Sequence, residues 1–226
     1  MNVQENVTTI QHKIAQACQK SGRKDADITI IAVTKYVSVE RAEQAIDAGI
    51  SNLGENRIEG FQEKWEVLNE RADFHFIGTL QSRKVKDVID EVSAIHSLDR
   101  ISLAKEIDKR SDKPVSCFVQ VNVSEEESKH GLTKEDVPSF IKKLRAYPNV
   151  KVVGLMTMAP HIDNEDELRS VFSALRHLKE EIEQQEWEHA PCHYLSMGMS
   201  NDYEIAIEEG ATHIRIGSQL VGRENE

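Results

Sequence analysis

The chain contains 226 residues, of which 39% are hydrophobic and 30% charged, so it is long enough to bury the core of one large α/β domain. A formal net charge of −11 disfavours nucleic acid as a partner, because phosphate backbones are bound by basic surfaces. The three cysteines are widely separated, which argues against a disulfide framework. The N-terminal segment MNVQENVTT has no apolar signal core, and no stretch approaches ~18 uninterrupted apolar residues, so no membrane span is expected. The sequence therefore predicts a protein of the reducing cytoplasm.

The apolar residues alternate between helical and extended periodicity along the whole chain. The chain opens with an amphipathic helix over 3–20, whose apolar positions recur every three or four residues. A β-branched strand follows, and Ser38 and Gly49 mark the start and the end of the next helix. The predicted strands are 28–35, 51–54, 74–78, 94–98, 115–123, 150–156, 193–196 and 212–216. The predicted helices after the first are 38–48, 57–70, 82–90, 100–110, 134–146, 165–187 and 202–209.

This alternation favours a single (β/α)8 TIM-type barrel with an additional N-terminal helix. The whole chain, 1–226, is expected to form one domain, since no linker or low-complexity segment divides it. A doubly wound parallel sheet is the structural alternative. The polar stretch 124–131 is expected to form a loop above the strand ends. In a barrel, functional side chains gather at the carboxyl ends of the strands.

Lys35 closes the first predicted strand, at one of these carboxyl ends. An amine held beside apolar walls loses hydration, so that its neutral, nucleophilic form becomes accessible. Such an amine condenses with aldehydes to give a Schiff base. An isolated lysine at the end of a strand more commonly extends to solvent, so the functional interpretation depends on the rest of the chain.

The segments after predicted strands seven and eight have the composition of an anion-binding site. Hydroxyl groups of Ser196 and Ser200, and backbone N–H groups near the start of a helix, favour a phosphate. Gly217 and Ser218 can add two N–H donors and another hydroxyl group. Each segment alone is weak evidence, but loops seven and eight are where barrels commonly hold phosphate.

Arg215 projects from the last strand, two residues before Gly217. Its guanidinium could pair with a carboxylate, or it could donate to a ring nitrogen of a bound heterocycle and disfavour protonation of that nitrogen. An aldehyde, a phosphate and a pyridine ring occur together in pyridoxal 5'-phosphate (PLP), which needs a lysine, a partner for the ring nitrogen and a phosphate cup. The chain offers a candidate for each.

Histidines in predicted strands raise the question of a metal site. Four of them are His75, His96, His193 and His213. No HxH or HExxH spacing occurs, and histidines in strands are usually packed or surface groups. The sequence therefore predicts no metal centre.

Seven segments resemble the pyridoxal phosphate homeostasis protein family, whose fold is similar to the N-terminal barrel of alanine racemase. They are IAVTKY, GENR, FHFIGTLQSRK, VNVSEEESKHGL, VVGLMTMAP, LSMGMSND and RIGSQLVGREN, and they cover nearly the whole chain in the family's order. The resemblance implies that Lys35 carries PLP as an internal aldimine and that Asn56 lies beside it. It implies that Arg215 meets the pyridine nitrogen. It further implies that the phosphate is held by Ser200, Gly217 and Ser218, with Ser196 close by.

The resemblance also implies a regulator or carrier of cellular vitamin B6, acting indirectly on amino-acid and keto-acid pools, rather than an enzyme. Alanine racemases use two opposed bases, one of which comes from a second domain that we expect this chain to lack, and proton transfer on one face cannot efficiently invert a stereocentre. The alternative is a one-domain PLP-dependent amino-acid racemase or a Schiff-base lyase. We expect a monomer with PLP as ligand, and PLP-dependent apoenzymes are candidate recipients.

Overall fold

The computed structural model describes residues 2–124, 130–160 and 162–222, and in them eight parallel strands close into a barrel. The strands are β1 (Thr29–Val33), β2 (Asn52–Glu55), β3 (Asp73–Phe76), β4 (Ala94–Leu98), β5 (Val115–Gln120), β6 (Val150–Met156), β7 (Tyr194–Met199) and β8 (His213–Ile216). Each strand pairs with the next, and β8 pairs with β1 through Thr29 opposite His213 and Ile31 opposite Arg215. This closure confirms the predicted barrel and excludes the doubly wound sheet, which has free edges.

Helices connect the strands on the outside of the barrel. They are α1 (Val3–Ser21), α2 (Val39–Asp47), α3 (Ile58–Leu68), α4 (Ile101–Arg110), α5 (Asp136–Leu144), α6 (Glu165–Glu183), α7 (Tyr203–Glu208) and α8 (Ser218–Val221). The predicted helix over 82–90 is wrong in type, because this connection is a 3₁₀-helix over Ser82–Asp87. Of the predicted loop over 124–131, residues 125–129 lie outside the described residues. None of the helices in the described ranges is long and apolar enough to cross a membrane.

The predicted N-terminal helix is confirmed as α1, which packs beside the last two helices of the barrel. Its buried stripe at helical spacing consists of Val3, Val7, Ile10, Ile14, Ala17 and Cys18. The Asn6 Nδ2 group donates a hydrogen bond to the Leu220 carbonyl at 3.0 Å, and Arg23 Nη1 donates to the Ile207 carbonyl at 2.8 Å. Helix α1 therefore braces the two helices that follow β7 and β8.

The hydrophobic core has two parts of very different size. The larger part lies between the strands and the surrounding helices. The smaller cluster consists of Ala94, Phe118 and Met156, with Val153 packed against it. Much of the remaining space inside the barrel is filled by polar side chains, and they lead toward the candidate site.

Candidate functional site

The barrel brings the predicted site residues onto neighbouring strands, at or near the carboxyl ends of those strands. They are Lys35, Asn56, Ser196, Ser200, Arg215, Gly217 and Ser218. They belong to, or directly follow, the strands β7, β8, β1 and β2, which are consecutive neighbours in the barrel. This arc of β7, β8, β1 and β2 is called the cofactor arc below. Residues 35 and 217 are 182 positions apart in the chain, and only the pairing of β1 with β8 makes them neighbours.

Lys35 lies two residues beyond the end of β1, in a turn rather than in the predicted strand. It is exposed, and its Nζ atom lies 4.8 Å from the centroid of the Tyr36 ring, which is itself 55% exposed. The prediction that apolar walls strip the amine of water is therefore wrong. The amine is instead accessible at the barrel mouth, in contact with one aromatic face.

Asn56 follows β2, and its Oδ1 atom is buried without a hydrogen-bond donor among the described residues. An unpaired buried acceptor costs about 1–3 kcal/mol, so it indicates a position where a ligand could supply the missing donor. The backbone of Asn56 packs closely against Gly78, because a Cβ atom added at Gly78 would stand 2.5 Å from the Asn56 carbonyl oxygen. An unpaired buried acceptor after β2 and an accessible amine after the paired strand β1 fit a polar ligand at this end of the arc.

Arg215 is buried inside the barrel and is held by two hydrogen bonds. Its Nη1 group donates to Ser196 Oγ at 2.5 Å, and its Nη2 group donates to the Thr157 carbonyl at 2.9 Å. Burial lowers the pKa of the guanidinium to about 10, against the attraction of Asp202. Arg215 therefore keeps its positive charge at neutral pH, which is the property that a partner of an unprotonated ring nitrogen requires.

A chain of hydrogen bonds continues from Arg215 across the barrel interior. Ser196 Oγ lies 2.9 Å from His96 Nδ1, and His96 Nε2 lies 3.0 Å from His75 Nδ1. His75 Nε2 lies 2.9 Å from Asn52 Oδ1, which can only accept. With both rings neutral, the direction of every bond follows: Arg215 donates to Ser196, Ser196 to His96, His96 to His75, and His75 to Asn52.

Burial keeps these imidazoles neutral. It lowers the pKa of His75 to about 4 and that of His96 well below its usual value. His96 is stacked on Phe118, with the ring centroids 4.2 Å apart. Sequence reasoning treated the histidines as separate packed groups and missed the chain. The available signal was their position in short strands, where alternate side chains face the barrel axis.

The candidate phosphate residues lie on the two loops of the arc that α1 braces. Ser200 lies in a turn closed by two bonds, from the Met199 N–H to Asp202 Oδ1 at 2.6 Å and from the Asp202 N–H to the Met199 carbonyl at 3.1 Å. Ser218 is exposed and opens α8, where the first N–H groups have no intrahelical acceptor. Ser196 is set apart from these residues, because it is fully buried against Arg215 and His96.

Within the described parts of the chain, no three His, Cys, Asp or Glu side chains converge as metal ligands would. His193 contacts Glu183 Oε1 at 2.6 Å on the surface, and His213 packs against the rings of Phe118 and Tyr194. The groups that the cofactor arc presents are an amine, a guanidinium, hydroxyls and an amide. They suit an anionic organic ligand.

Comparisons with known proteins agree with this arrangement. The family model for the alanine racemase N-terminal domain matches residues 6–225. A pyridoxal phosphate homeostasis protein from Aquifex aeolicus is 41% identical over 226 residues, covering 98% of each chain. A protein of unknown function from Bifidobacterium adolescentis has a similar structure, with a TM-score of 0.92, 32% identity and coverage of 97% of this chain and 94% of that one.

PipY from Synechococcus elongatus, whose structure was solved with PLP bound, has a TM-score of 0.81 and 29% identity. The similarity covers 92% of this chain and 100% of PipY. The barrel, the arrangement of the cofactor arc and full-length relatives at more than 30% identity lead to the same assignment. The chain belongs to the family of pyridoxal phosphate homeostasis proteins, which share their barrel with the N-terminal domain of alanine racemase.

Proposed function

We propose that the barrel binds PLP at the cofactor arc and serves the homeostasis of vitamin B6. The observation that carries this function is the convergence of Lys35, Asn56 and Arg215 at neighbouring strand ends, in a chain whose relatives are homeostasis proteins and include one solved with PLP. We further propose that the whole chain, 1–226, forms one PLP-binding domain.

Each residue of the arc has a separate role. The Lys35 amine is the point of covalent attachment, and the Asn56 Oδ1 atom accepts a hydrogen bond from the ligand. Arg215 faces the ring nitrogen and repels a proton there. The hydroxyl groups of Ser200 and Ser218 and the N–H groups at Gly217 and Ser218 hold the phosphate. Ser196 contributes indirectly, because its hydroxyl fixes the guanidinium of Arg215.

We propose that the protein is a carrier or regulator rather than a catalyst. PLP supplies an electrophilic aldehyde and, when its ring nitrogen is protonated, a strong electron sink. Arg215 is charged at neutral pH and disfavours that protonated state, and the imidazoles that follow it in the hydrogen-bond chain are neutral and do not offset the charge. The exposed position of Lys35 suits a protein that delivers its cofactor to PLP-dependent apoenzymes.

The attachment site can be tested by borohydride reduction and peptide mass spectrometry. Reduction of the protein incubated with PLP should leave a pyridoxyl adduct on the peptide containing Lys35. Lys35→Ala should lose the adduct and keep its melting temperature, because the side chain is exposed and changes at such positions usually cost less than about 0.5 kcal/mol. An adduct found mainly on Lys84 or Lys151 would show that the assignment is wrong.

The regulatory role can be tested by combining turnover assays with gene deletion. We expect negligible racemase, transaminase or decarboxylase turnover from the purified PLP-bound protein. Deletion of the gene should disturb B6 vitamer and amino-acid pools, since the protein acts on the cofactor supply rather than on one product. Robust turnover of any one amino acid, together with unchanged vitamer pools, would favour the racemase or lyase instead.

A further inference from the structure

A buried charged cluster lies at the ends of β1 and β2 and includes none of the predicted site residues. Lys64 Nζ on α3 stands 3.1 Å from Glu55 Oε1 at the end of β2, and their side chains are only 4% and 1% exposed. The Thr34 hydroxyl donates to the same Glu55 oxygen at 2.5 Å. Thr34, Glu55 and Lys64 are called the anchor cluster below.

The anchor cluster is one residue away from two of the ligand-binding positions. Thr34 immediately precedes Lys35, and Glu55 immediately precedes Asn56. Contacts of Glu55 with Thr34 and Lys64 therefore tie the backbone directly before both positions to each other and to α3. The backbone is fixed at the same level, since the Thr34 N–H donates to the Gly54 carbonyl at 3.1 Å and the Ile77 N–H donates to the Glu55 carbonyl at 2.8 Å.

Helix α3 is shaped to receive the Glu55 carboxylate. A Cβ atom added at Gly60 would stand 2.9 Å from Glu55 Oε2, so the first turn of the helix approaches the carboxylate more closely than a larger residue would permit. Glycine inside a helix costs about 1 kcal/mol relative to alanine. The close approach of α3 to the carboxylate accounts for a glycine at this position.

Stability alone does not account for a charged cluster at this position. Burial raises the pKa of the Glu55 carboxyl, while the Lys64 charge and the Thr34 hydroxyl act in the opposite direction. Replacing a buried ion pair with apolar side chains of similar volume is often neutral or stabilising, because desolvation cancels much of the attraction. The hydrogen bond and the ion pair of the cluster are directional, so they fix the ends of β1 and β2 in one geometry, which apolar packing would not do.

We propose that Thr34, Glu55 and Lys64 are positioning residues for the cofactor, holding the backbone at Lys35 and Asn56 so that both side chains reach the same ligand. This inference rests on the proposed function, because it assigns the anchor cluster to the PLP site at the cofactor arc. The cluster acts through its neighbours and does not touch the ligand itself.

Two variants separate positioning from stability. Thr34→Val removes one hydroxyl while keeping the shape of the side chain, and it leaves the ion pair in place. The triple variant Thr34→Val, Glu55→Met, Lys64→Met replaces the whole cluster with apolar groups of similar volume. A matched control is Glu106→Gln, Arg110→Met, which removes an ion pair within α4 whose side chains are 25% and 34% exposed.

The readouts are the melting temperature, the dissociation constant for PLP and the rate at which the visible absorption of bound PLP appears. The triple variant should melt at or above the wild-type temperature. Thr34→Val and the triple variant should each bind PLP about tenfold more weakly and attach it more slowly, since misplacing reacting groups by about 1 Å has effects of this size or larger. The α4 control should match the wild type in affinity and in attachment rate.

Wild-type affinity and rate in the triple variant would overturn the inference even when the wild-type adduct is found on Lys35. If the triple variant does not fold, Thr34→Val decides, and unchanged binding by that variant would also overturn it. A wild-type protein with no adduct on Lys35 would instead refute the proposed function, and the inference with it.

Discussion

The surroundings of Arg215 set both the charge and the orientation of its guanidinium group. A guanidinium buried in an apolar interior would be strongly disfavoured, but here its N–H groups meet a hydroxyl and a carbonyl oxygen. Its pKa, lowered to about 10, still leaves it charged at neutral pH. The same two bonds fix its orientation, so the residue is a rigid positive group and not a mobile side chain.

A substitution at Gly78 tests whether the position of Asn56 matters for binding of PLP. Gly78→Ala should weaken PLP binding by about tenfold and destabilise the fold by roughly 1–3 kcal/mol, because the new Cβ atom would overlap the backbone of Asn56. Spectral titration with PLP and denaturant unfolding measure the two effects. Gly22→Ala is the control, since a Cβ atom there meets no atom within 4 Å, although its φ of 69° still costs stability. Unaltered PLP affinity in Gly78→Ala would show that Asn56 does not bind the ligand.

The helices α7 and α8, which follow β7 and β8, are held by α1 and by Arg23 just beyond its end. Asn6 and Arg23 bond to the carbonyls of Leu220 and Ile207, in the helices that follow these strands. A turn closed by Asp202 orients Ser200 in the first loop. The N-terminal helix therefore contacts the two helices that follow the candidate phosphate residues, although it contributes no residue to the candidate phosphate cup itself.

If the candidate phosphate cup holds the phosphate, the protein should bind PLP and pyridoxal with different affinities. Hydrogen bonds to a charged phosphate contribute roughly 1.5–3 kcal/mol each, so pyridoxal should bind far more weakly than PLP. Ser200→Ala, Ser218→Ala should weaken binding of PLP by about tenfold or more and leave the weak binding of pyridoxal unchanged. Ser139→Ala, an exposed substitution on α5, is the matched control. Equal affinity of the wild type for both ligands would contradict the cup.

The whole molecule is unusual in placing a polar chain inside its barrel, where branched apolar side chains normally dominate. These buried polar groups are tolerated because Arg215, Ser196, His96 and His75 each donate to the next group, ending at Asn52. Such a chain specifies one arrangement of the strands that carry it, but only while both imidazoles remain neutral.

The fold should therefore lose stability in mild acid. The pKa of His75 is lowered to about 4, below its usual value of 6.5, so the unfolded chain binds more protons than the folded one between these values. The contribution of His75, about 3 kcal/mol, should be complete above pH 6.5 and should fall as the pH drops toward 4. Urea unfolding at a series of pH values measures this slope. His75→Gln should reduce the slope, and a variant with the full wild-type slope would show that His75 does not cause it.

Several features of the site follow from short stretches of sequence. Lys35, Arg215 and Gly217 were predicted because each stands at or near the end of a strongly apolar strand, and such patterns are local. The strand boundaries were less exact, since β1 ends at Val33 and β7 continues to Met199. Lys35 therefore lies in a turn beyond β1, and Ser196 lies within β7, inside the barrel.

Local patterns in the sequence predict the order of strands and helices, the barrel class and the residues at the strand ends, because periodicity and turn residues act over a few positions. The closed barrel establishes which of those ends meet, through the pairing of β8 with β1. It also decided the bond between His96 and Ser196, which are 100 residues apart, and the contact of Lys64 with Glu55 across a helix and a strand. Contacts of this kind depend on the register and closure of the sheet, to which no local pattern is sensitive.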